Sequence, residues 1–344
     1  MIQDWPADGL ERVDSCPVCG NASRHQLYRG LVDRVFRCAP GRWDMYQCEE
    51  CQSAYLDPRP TVATIHMAYQ CYYTHETPPR QATDELPPWR RLVRALANGY
   101  RNHRYGGQLL PACKLGPWVL PLFPRQRQAL DRELRFLPLL KPGARLLDVG
   151  FGSGEFMKLA LRVGWKVSGV DPDPVAVGNA LAAGLDVRQG DITAFEAEMG
   201  QFDVVTLSHV IEHVHEPVET IGHAYRLLKP GGLLYIDTPN IDAYGHREFR
   251  ESWRGLEIPR HLVMFNWDSV AKLLIQSGFR EVHNFYRFVP YAKLAQASRI
   301  IREDVHPRSP AWAKVLDVAR ELCLEYCPYS NNNMTEFITM YARK

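Results

Sequence analysis

Residues 146 to 156 read LLDVGFGSGEF, and this stretch decides the fold of the chain. Its apolar run ends at Asp148, and three glycines follow at alternate positions, Gly150, Gly152 and Gly154. Glycine tolerates positive φ and carries no Cβ that would keep a ligand from the backbone. The start of a helix offers free N–H groups to a polar or anionic group. The stretch therefore predicts a buried strand, a tight turn and a helix start. A small-molecule cofactor could lie across this turn, or the turn could simply be tight and bind nothing.

The segments after the glycine turn favour the cofactor. A second apolar strand, residues 166 to 170, ends at Asp171, where a carboxylate can accept hydrogen bonds from both hydroxyls of a ribose. The dinucleotide spacing G-x-G-x-x-G is absent because Glu155 follows the third glycine, which disfavours a dehydrogenase. Further strands are predicted over 186–189, 202–208, 233–237, 282–288 and 337–341, and a helix over 268–276. This alternation from residue 128 onward predicts an α/β fold, a parallel sheet with helices on both faces.

Five motifs occur in the order DVGFGSG, GVDPDP, GDI, FDVVTLSHVIEHV and LKPGG. In this order they resemble the class I S-adenosylmethionine-dependent methyltransferases, over about residues 130 to 344. The resemblance implies a Rossmann-like seven-stranded sheet and S-adenosylmethionine as cofactor. It implies that the glycines flank the methionine part, that Asp171 holds the ribose, and that Ser208 and His209 lie near the sulfonium. The full implied cofactor set is Asp148, Gly150, Gly152, Gly154, Asp171, Pro172, Asp191, Ile192, Ser208 and His209.

Bulk composition is that of an ordinary globular protein. The chain has 344 residues, a formal net charge of +2 and 46% apolar residues, enough for one large domain or two modest ones. The first residues, MIQDWPADGLERVDSC, do not resemble a secretory signal, and no run of about 18 apolar residues predicts a membrane span. These features predict a cytoplasmic protein, with peripheral membrane contact as an option.

Four of the nine cysteines form two C-x-x-C pairs separated by 28 residues, Cys16 with Cys19 and Cys48 with Cys51. Two such knuckles can complete the tetrahedral shell of a structural zinc ion. The alternatives are reduced cysteines without metal and, less compatible with a repeated motif, a redox pair. Residues 1–58 are therefore predicted to form a zinc ribbon. Because four thiolates leave no open coordination position, its role would be docking or substrate orientation.

Residues 59–128 differ in composition and are predicted to form an aromatic arm and a basic helical insert before the methyltransferase domain at 129–344. Tyr72 and Tyr73 could cover the cofactor or merely pack. From residue 86 to 128 there are eight Arg and Lys and no acid. The helical stripe Trp89, Leu92, Val93, Leu96 and Tyr100 could lie on an anionic membrane surface. It could equally pack on the catalytic domain, and nucleic acid is the least favoured partner because no stacking motif recurs.

An alcohol acceptor needs a base, and histidine titrates nearest neutral pH. Three histidines are candidates by position: His209 and His213 after the fourth strand, and His261 in the segment 238–266. His209 directly follows the strand end and could serve the cofactor instead. In a helix, His209 and His213 would share a face, with Glu212 off it. Each histidine could also be purely structural.

The long segment 238–266 is predicted to be the acceptor side of the site. In it, Trp253 and Tyr244 could stack on a sugar, and Arg260 could hold an anionic substituent. The alternative is a packed lid. Its pattern W-x-G-x-E-x-P-R-H-L resembles ribbon-bearing methyltransferases of sugar, polysaccharide and natural-product tailoring. That resemblance suggests a hydroxyl or carbon of a glycan, sugar or related small molecule as acceptor. A catalytically idle scaffold that recruits partners through its ribbon is the competing hypothesis.

Overall fold

The computed structural model describes residues 4–70, 87–139, 141, 143–285, 291–305 and 334–344. Tyr72 and Tyr73 of the aromatic arm lie outside these residues. The strands are β1 (Leu10–Glu11), β2 (Arg24–Leu31), β3 (Trp43–Cys48), β4 (Ala54–Leu56), β5 (Arg59–Pro60), β6 (Arg145–Val149), β7 (Lys166–Asp171), β8 (Asp186–Gln189), β9 (Phe202–Ser208), β10 (Leu228–Pro239), β11 (Val263–Met264), β12 (Arg280–Asn284) and β13 (Phe337–Arg343). The α-helices are α1 (Pro88–Tyr105), α2 (Gly116–Val119), α3 (Pro124–Glu133), α4 (Glu155–Val163), α5 (Pro174–Ala182), α6 (Pro217–Leu227), α7 (Tyr244–Phe249), α8 (Trp267–Gln276) and α9 (Tyr291–Val305).

The main sheet has seven strands in the order β12-β13-β10-β9-β6-β7-β8. Strand β6 pairs in parallel with β7 and β9, and β7 pairs in parallel with β8. Strand β13 runs antiparallel to β12, so the sheet is mixed and not wholly parallel as predicted. The predicted Rossmann-like α/β fold is otherwise confirmed.

The centre of this sheet follows from its sequence. Leu146 and Leu147 of β6 and Val205 of β9 are fully buried, as expected of a strand covered on both faces. Helix α4 buries Met157 and Ala160 on one face at the spacing of an amphipathic helix. It ends at a glycine with positive φ, the usual C-terminal stop.

The chain divides into two compact units, each made of several segments. The first comprises residues 1–72, 208–225 and 236–343. In it, β2, β3 and β4 form an antiparallel ribbon, and β11 from the segment 238–266 adds a fourth strand through Val263 opposite Tyr55 and Met264 opposite Ala54. The segment expected to be irregular therefore contains one short α-helix, α7, two 3₁₀ helices (Arg250–Ser252 and Arg254–Leu256) and a strand of the ribbon sheet.

The second unit comprises residues 73–207, 226–235 and 344. Its first part is a helical hairpin in which α1 and α2 touch through their backbones. A Cβ at Gly116 would lie 2.1 Å from Leu96 O, and one at Gly99 would lie 1.9 Å from Cys113 O; close approach therefore requires glycine at both positions. Among the described residues, no helix is long and apolar enough to cross a bilayer.

Candidate active site

The glycine turn after β6 is built as the sequence predicts. All three glycines have positive φ, 67° at Gly150, 55° at Gly152 and 70° at Gly154, a region that other residues rarely adopt. A Cβ at Gly152 would meet open space, whereas one at Gly154 would lie 2.9 Å from Leu185 Cδ1. Gly152 therefore leaves room for a ligand beside the backbone, while Gly154 is favoured by its positive φ, since Leu185 Cδ1 is the end of a flexible side chain that could shift.

Asp171 ends β7 beside this turn. Its Oδ2 accepts a hydrogen bond of 2.9 Å from Gly152 N, and its Oδ1 accepts one of 3.0 Å from Asp173 N. Burial raises the pKa of this carboxyl above its usual value. Each carboxylate oxygen can accept a second hydrogen bond, so the geometry fits a carboxylate that holds the turn and has capacity left for ribose hydroxyls.

Asp148 is fully buried in β6. Its Oδ1 accepts hydrogen bonds from Arg135 and, at 2.9 Å, from Thr206 Oγ1. Its Oδ2 has no hydrogen-bond partner among the described residues. This buried oxygen could accept a hydrogen bond from a bound ligand. The sequence interpretation missed Arg135, because a partner that precedes the strand has no motif of its own. Its guanidinium also lies 3.8 Å from the centre of the Phe156 ring.

The remaining cofactor candidates differ in exposure. Asp191 is exposed and accepts from Thr193 N at 2.8 Å, which caps the following 3₁₀ helix. Ile192 is buried, Pro172 is exposed, and Ser208 is half-buried at the end of β9. Within the second unit, the space at Gly152 and the Asp171 carboxylate at the end of β7 fit a nucleoside-containing cofactor.

The segment after β9 is a turn, and the helix considered for it is not formed. His209 adopts a left-handed conformation with φ of 57°, and its N–H donates to Asp237 O at 2.7 Å. Non-glycine residues in this region are uncommon and cluster at functional sites. The turn brings His209 Nδ1 to 3.3 Å from Glu212 Oε1. Glu212 therefore lies at the centre of the histidines, where the helical interpretation had placed it off their face.

Glu212, His213 and His261 form a cluster of titratable side chains in the first unit. One ligand atom from each lies within 4.8 Å of the others. Glu212 is fully buried and accepts from Thr238 Oγ1 at 2.9 Å. Although burial opposes ionisation, the hydrogen bond from His209 and the neighbouring imidazoles lower the pKa of Glu212 to about 2. The cluster therefore contains a buried carboxylate anion.

Backbone carbonyls set the tautomers of both imidazoles. His213 Nδ1 lies 3.0 Å from Arg260 O, and His261 Nδ1 lies 2.8 Å from Gly255 O. A carbonyl only accepts, so each Nδ1 carries the proton and each Nε2 keeps a lone pair. Tyr69 Oη lies 3.1 Å from His213 Nδ1 and adds a second contact to it. Burial lowers the pKa of His261 to about 4, so His261 is neutral at pH 7. Two imidazoles and a carboxylate thus meet at one place, a set of side chains that can take up a proton or hold a divalent cation.

The segment 238–266 supplies His261, but two of its other predicted roles are wrong. Arg260 is fully buried, and its Nη2 donates to Asp33 Oδ1 at 2.6 Å while its Nη1 donates to Ala68 O at 2.8 Å. Its guanidinium is therefore occupied by the protein's own carboxylate and cannot hold an anionic substituent. Trp253 is buried, and its Nε1 donates to Glu336 Oε2 at 2.9 Å, so it cannot stack on a sugar. Tyr244 is half-buried against Tyr291.

The four predicted metal-ligating cysteines converge. Cys16 Sγ lies 3.5 Å from Cys51 Sγ, and Cys19 Sγ lies 3.5 Å from Cys48 Sγ. Zn–S bonds of about 2.3 Å in a tetrahedron separate sulfur atoms by about 3.8 Å, whereas a disulfide needs about 2.0 Å. The arrangement of these free thiols fits a zinc ion.

The chain is similar to known methyltransferases. A family model described as a methyltransferase domain matches residues 124–284. A ubiquinone biosynthesis O-methyltransferase of Pseudomonas entomophila is 30% identical over 192 residues, which cover 49% of this chain and 75% of the relative. A ubiquinone biosynthesis O-methyltransferase of Cereibacter sphaeroides is 37% identical over 141 residues, 39% of this chain and 57% of the relative, so the chain spans a little over half of that protein. Among solved structures, a SAM-dependent methyltransferase from Archaeoglobus fulgidus is 21% identical with a TM-score of 0.44 and covers 66% of this chain and 100% of that chain.

The glycine turn, the acid at the end of the second strand of the sheet, the seven-stranded mixed sheet and the sequence match agree with one another. The chain belongs to the class I S-adenosylmethionine-dependent methyltransferases.

Proposed function

We propose that the chain transfers the methyl group of S-adenosylmethionine to a hydroxyl oxygen of a small acceptor, a sugar, glycan or related hydroxylated molecule. The bound cofactor supplies an electrophilic methyl group on a sulfonium. The observation that carries the proposal is the cluster of Glu212, His213 and His261, in which two imidazoles lie beside a buried carboxylate. A group of this kind suits an acceptor whose proton must leave as the new bond forms.

His213 is the better candidate for the base. It is half-buried, whereas His261 is 4% exposed, so His213 has more room to reach an acceptor. In this proposal His213 takes the acceptor's proton as the acceptor oxygen bonds to the methyl carbon; the bond from that carbon to the sulfonium sulfur breaks, and S-adenosylhomocysteine leaves as the neutral thioether. The anionic Glu212 then stabilises the imidazolium that results, as a carboxylate does beside other catalytic histidines. His261, held neutral by burial, orients the pair.

Oxygen is favoured over carbon as the acceptor atom. The two relatives are named O-methyltransferases, and a neutral imidazole is matched to hydroxyl activation at neutral pH. A divalent cation bound by the same three side chains would also help the acceptor to lose its proton, because it would bind the acceptor oxygen and lower the pKa of the hydroxyl.

We also propose a structural zinc ion on Cys16, Cys19, Cys48 and Cys51, and a bracing role for its ribbon. Asn266 Nδ2 donates to Cys51 O at 3.1 Å, and Leu56 N donates to Leu262 O at 3.1 Å. The second contact lies next to His261 in the chain. The ribbon would thus hold the segment 238–266, which carries His261. This is how the ribbon would perform the orienting role predicted for it.

The test is an acceptor screen with labelled S-adenosylmethionine. Sugars, glycans and phenolic alcohols are incubated with the protein, and labelled product is measured beside cofactor binding in the same samples. Transfer to an oxygen of one class supports the proposal. Tight cofactor binding without transfer to any hydroxylated class, with or without added divalent metal, would favour the idle scaffold instead. Transfer only to carbon or nitrogen acceptors would contradict the choice of oxygen.

A further inference from the structure

The hairpin of α1 and α2 exposes an unusual concentration of large apolar side chains. Trp118 is 79% exposed, Leu122 is 76% exposed and Trp89 is 61% exposed. More than half of Leu92, Val93, Leu110 and Leu115 is also exposed. Single exposed apolar residues are ordinary, but a contiguous set marks an interaction surface.

The apolar residues of α1 form one stripe with two different environments. Trp89, Leu92 and Val93 fall within an arc of about 100° on the helix. Further along the same stripe, Tyr100 is 7% exposed, because Gly116 of α2 lies against this part of α1. The apolar stripe of α1 is therefore exposed to solvent in its first two turns and buried against α2 in its later turns. On the second arm, Leu115 lies just before α2, Trp118 lies within it, and Leu122 ends the 3₁₀ helix Leu120–Leu122 that follows; all three are exposed.

The same hairpin carries concentrated positive charge. Residues 86–128 contain eight Arg and Lys and no acid, although the whole chain has a net charge of only +2. Arg90 and Arg94 lie on the flank of the α1 stripe, and the Arg90 guanidinium lies 5.0 Å from the centre of the Trp89 ring. An apolar stripe with tryptophan and a basic flank is the composition of helices that lie in a membrane interface.

We propose that this hairpin, residues 87–123, docks on the surface of an anionic lipid bilayer. The exposed leucines and tryptophans would enter the headgroup boundary, and the arginines would meet lipid phosphates. A second copy of the chain is a poorer occupant, since its own hairpin would bring six further Arg and Lys, one of which, Arg101, is paired with Glu133, against a basic surface. Nucleic acid is poorer as well, because leucine and valine offer no surface on which bases stack.

The test is co-sedimentation of the full-length protein with vesicles. Vesicles of phosphatidylcholine are compared with vesicles that contain one third phosphatidylglycerol, at 0.1 M and 1 M salt. The proposal predicts binding to the anionic vesicles at 0.1 M salt and its loss at 1 M salt, where the Debye length falls to about 3 Å. Arg90→Gln with Arg94→Gln should weaken binding roughly 25-fold, about fivefold for each charge. Trp118→Ser with Leu122→Ser should weaken it about tenfold or more.

Matched controls come from the other unit. Ile275→Ser removes an apolar side chain that is 60% exposed, and Lys272→Gln with Arg280→Gln removes two exposed charges; both should bind vesicles as the parent does. Circular dichroism establishes that each variant is folded. Absence of binding to anionic vesicles, or equal weakening by patch and control variants, would overturn the proposal. So would a dimer in solution that Trp118→Ser dissociates, or tighter binding to a 30-nucleotide RNA than to vesicles.

Discussion

His213 and Arg260 are joined through the backbone: His213 Nδ1 donates a hydrogen bond of 3.0 Å to the carbonyl oxygen of Arg260. The side chain of the same Arg260 is fully buried and paired with Asp33. The carbonyl of Arg260 therefore fixes the tautomer of His213, the candidate base, and the side chain of Arg260 is itself held in place by the Asp33 carboxylate. The position of His213 thus depends on a contact between segments that are far apart in sequence.

Asp33→Asn is expected to damage both stability and turnover. It leaves the buried guanidinium of Arg260 without its anion, and breaking a buried ion pair costs about 3–5 kcal/mol. Urea unfolding measures this loss, and cofactor affinity measured in the same samples should stay within about twofold. The exposed pair of Arg343 and Glu281 is the control, because Glu281→Gln should cost at most about 1 kcal/mol. Equal costs at the two sites would show that the Asp33 pair contributes no more than a surface contact.

Native protein is expected to contain about one zinc ion per chain, and Cys48→Ser should lower that content. Metal binding supplies folding energy to so small a ribbon, so the variant should unfold in the first unit before the second. Elemental analysis and limited proteolysis measure the two effects. Cys113→Ser, at a thiol outside the four-cysteine cluster, is the control and should retain the metal. Four freely titratable thiols in metal-free, fully folded protein would contradict the zinc site.

The buried side chain of His246 is expected to make the free energy of unfolding smaller at low pH. Burial lowers the pKa of His246 to about 4 from its ordinary value of 6.5. The unfolded chain takes up the proton below pH 6.5, but the folded chain does so only near pH 4. Stability is therefore full above pH 6.5 and falls by roughly 3 kcal/mol as the pH falls to 4. His246→Asn should flatten this slope relative to the parent, as measured by unfolding at several pH values. Parallel curves for parent and variant would show that His246 titrates normally.

Asp171→Ala is expected to weaken cofactor binding by about 10- to 150-fold, since charge-assisted hydrogen bonds contribute about 1.5–3 kcal/mol. The control is Asp173→Ala, two residues away, whose carboxylate accepts from Val175 N and caps α5. That control should cost stability with little change in affinity. Calorimetric titration with S-adenosylmethionine separates the two outcomes, and unchanged affinity in Asp171→Ala would place the ribose elsewhere.

The parts that could be predicted from the sequence are those encoded by local pattern. The glycine turn, the acid at the end of β7 and the paired cysteines each depend on residues a few positions apart, so their geometry follows from backbone rules. The predicted bounds of β8 and β9 match the observed ones, but β10 begins five residues before its predicted start, and β12 spans Arg280–Asn284 where 282–288 was predicted. Helix α8 begins one residue before its predicted start.

The parts that could not be predicted depend on distant partners or on an unexpected turn. The sequence predicts an acceptor-binding role for Arg260 because nothing near it in the chain indicates its partner. That partner, Asp33, lies 227 residues earlier. A helix after β9 would place Glu212 off the face of His209 and His213, but the left-handed backbone of His209 prevents that helix. An aromatic side chain such as Trp253 is typical of sugar-binding sites, which is why it is predicted to stack on a sugar. In the structure it is buried and donates to Glu336, and no local pattern indicates that contact.

The most direct test of the central claim is the turnover of His213→Gln on an acceptor found in the screen, with cofactor affinity measured on the same preparation. The claim predicts that affinity for S-adenosylmethionine is unchanged and that kcat falls roughly 10²–10⁴-fold, the usual contribution of a general base. The exposed His25, replaced by alanine, should leave both quantities at the parent's values. Full turnover in His213→Gln and likewise in His261→Gln would contradict the claim, because methyl transfer would then proceed without either imidazole.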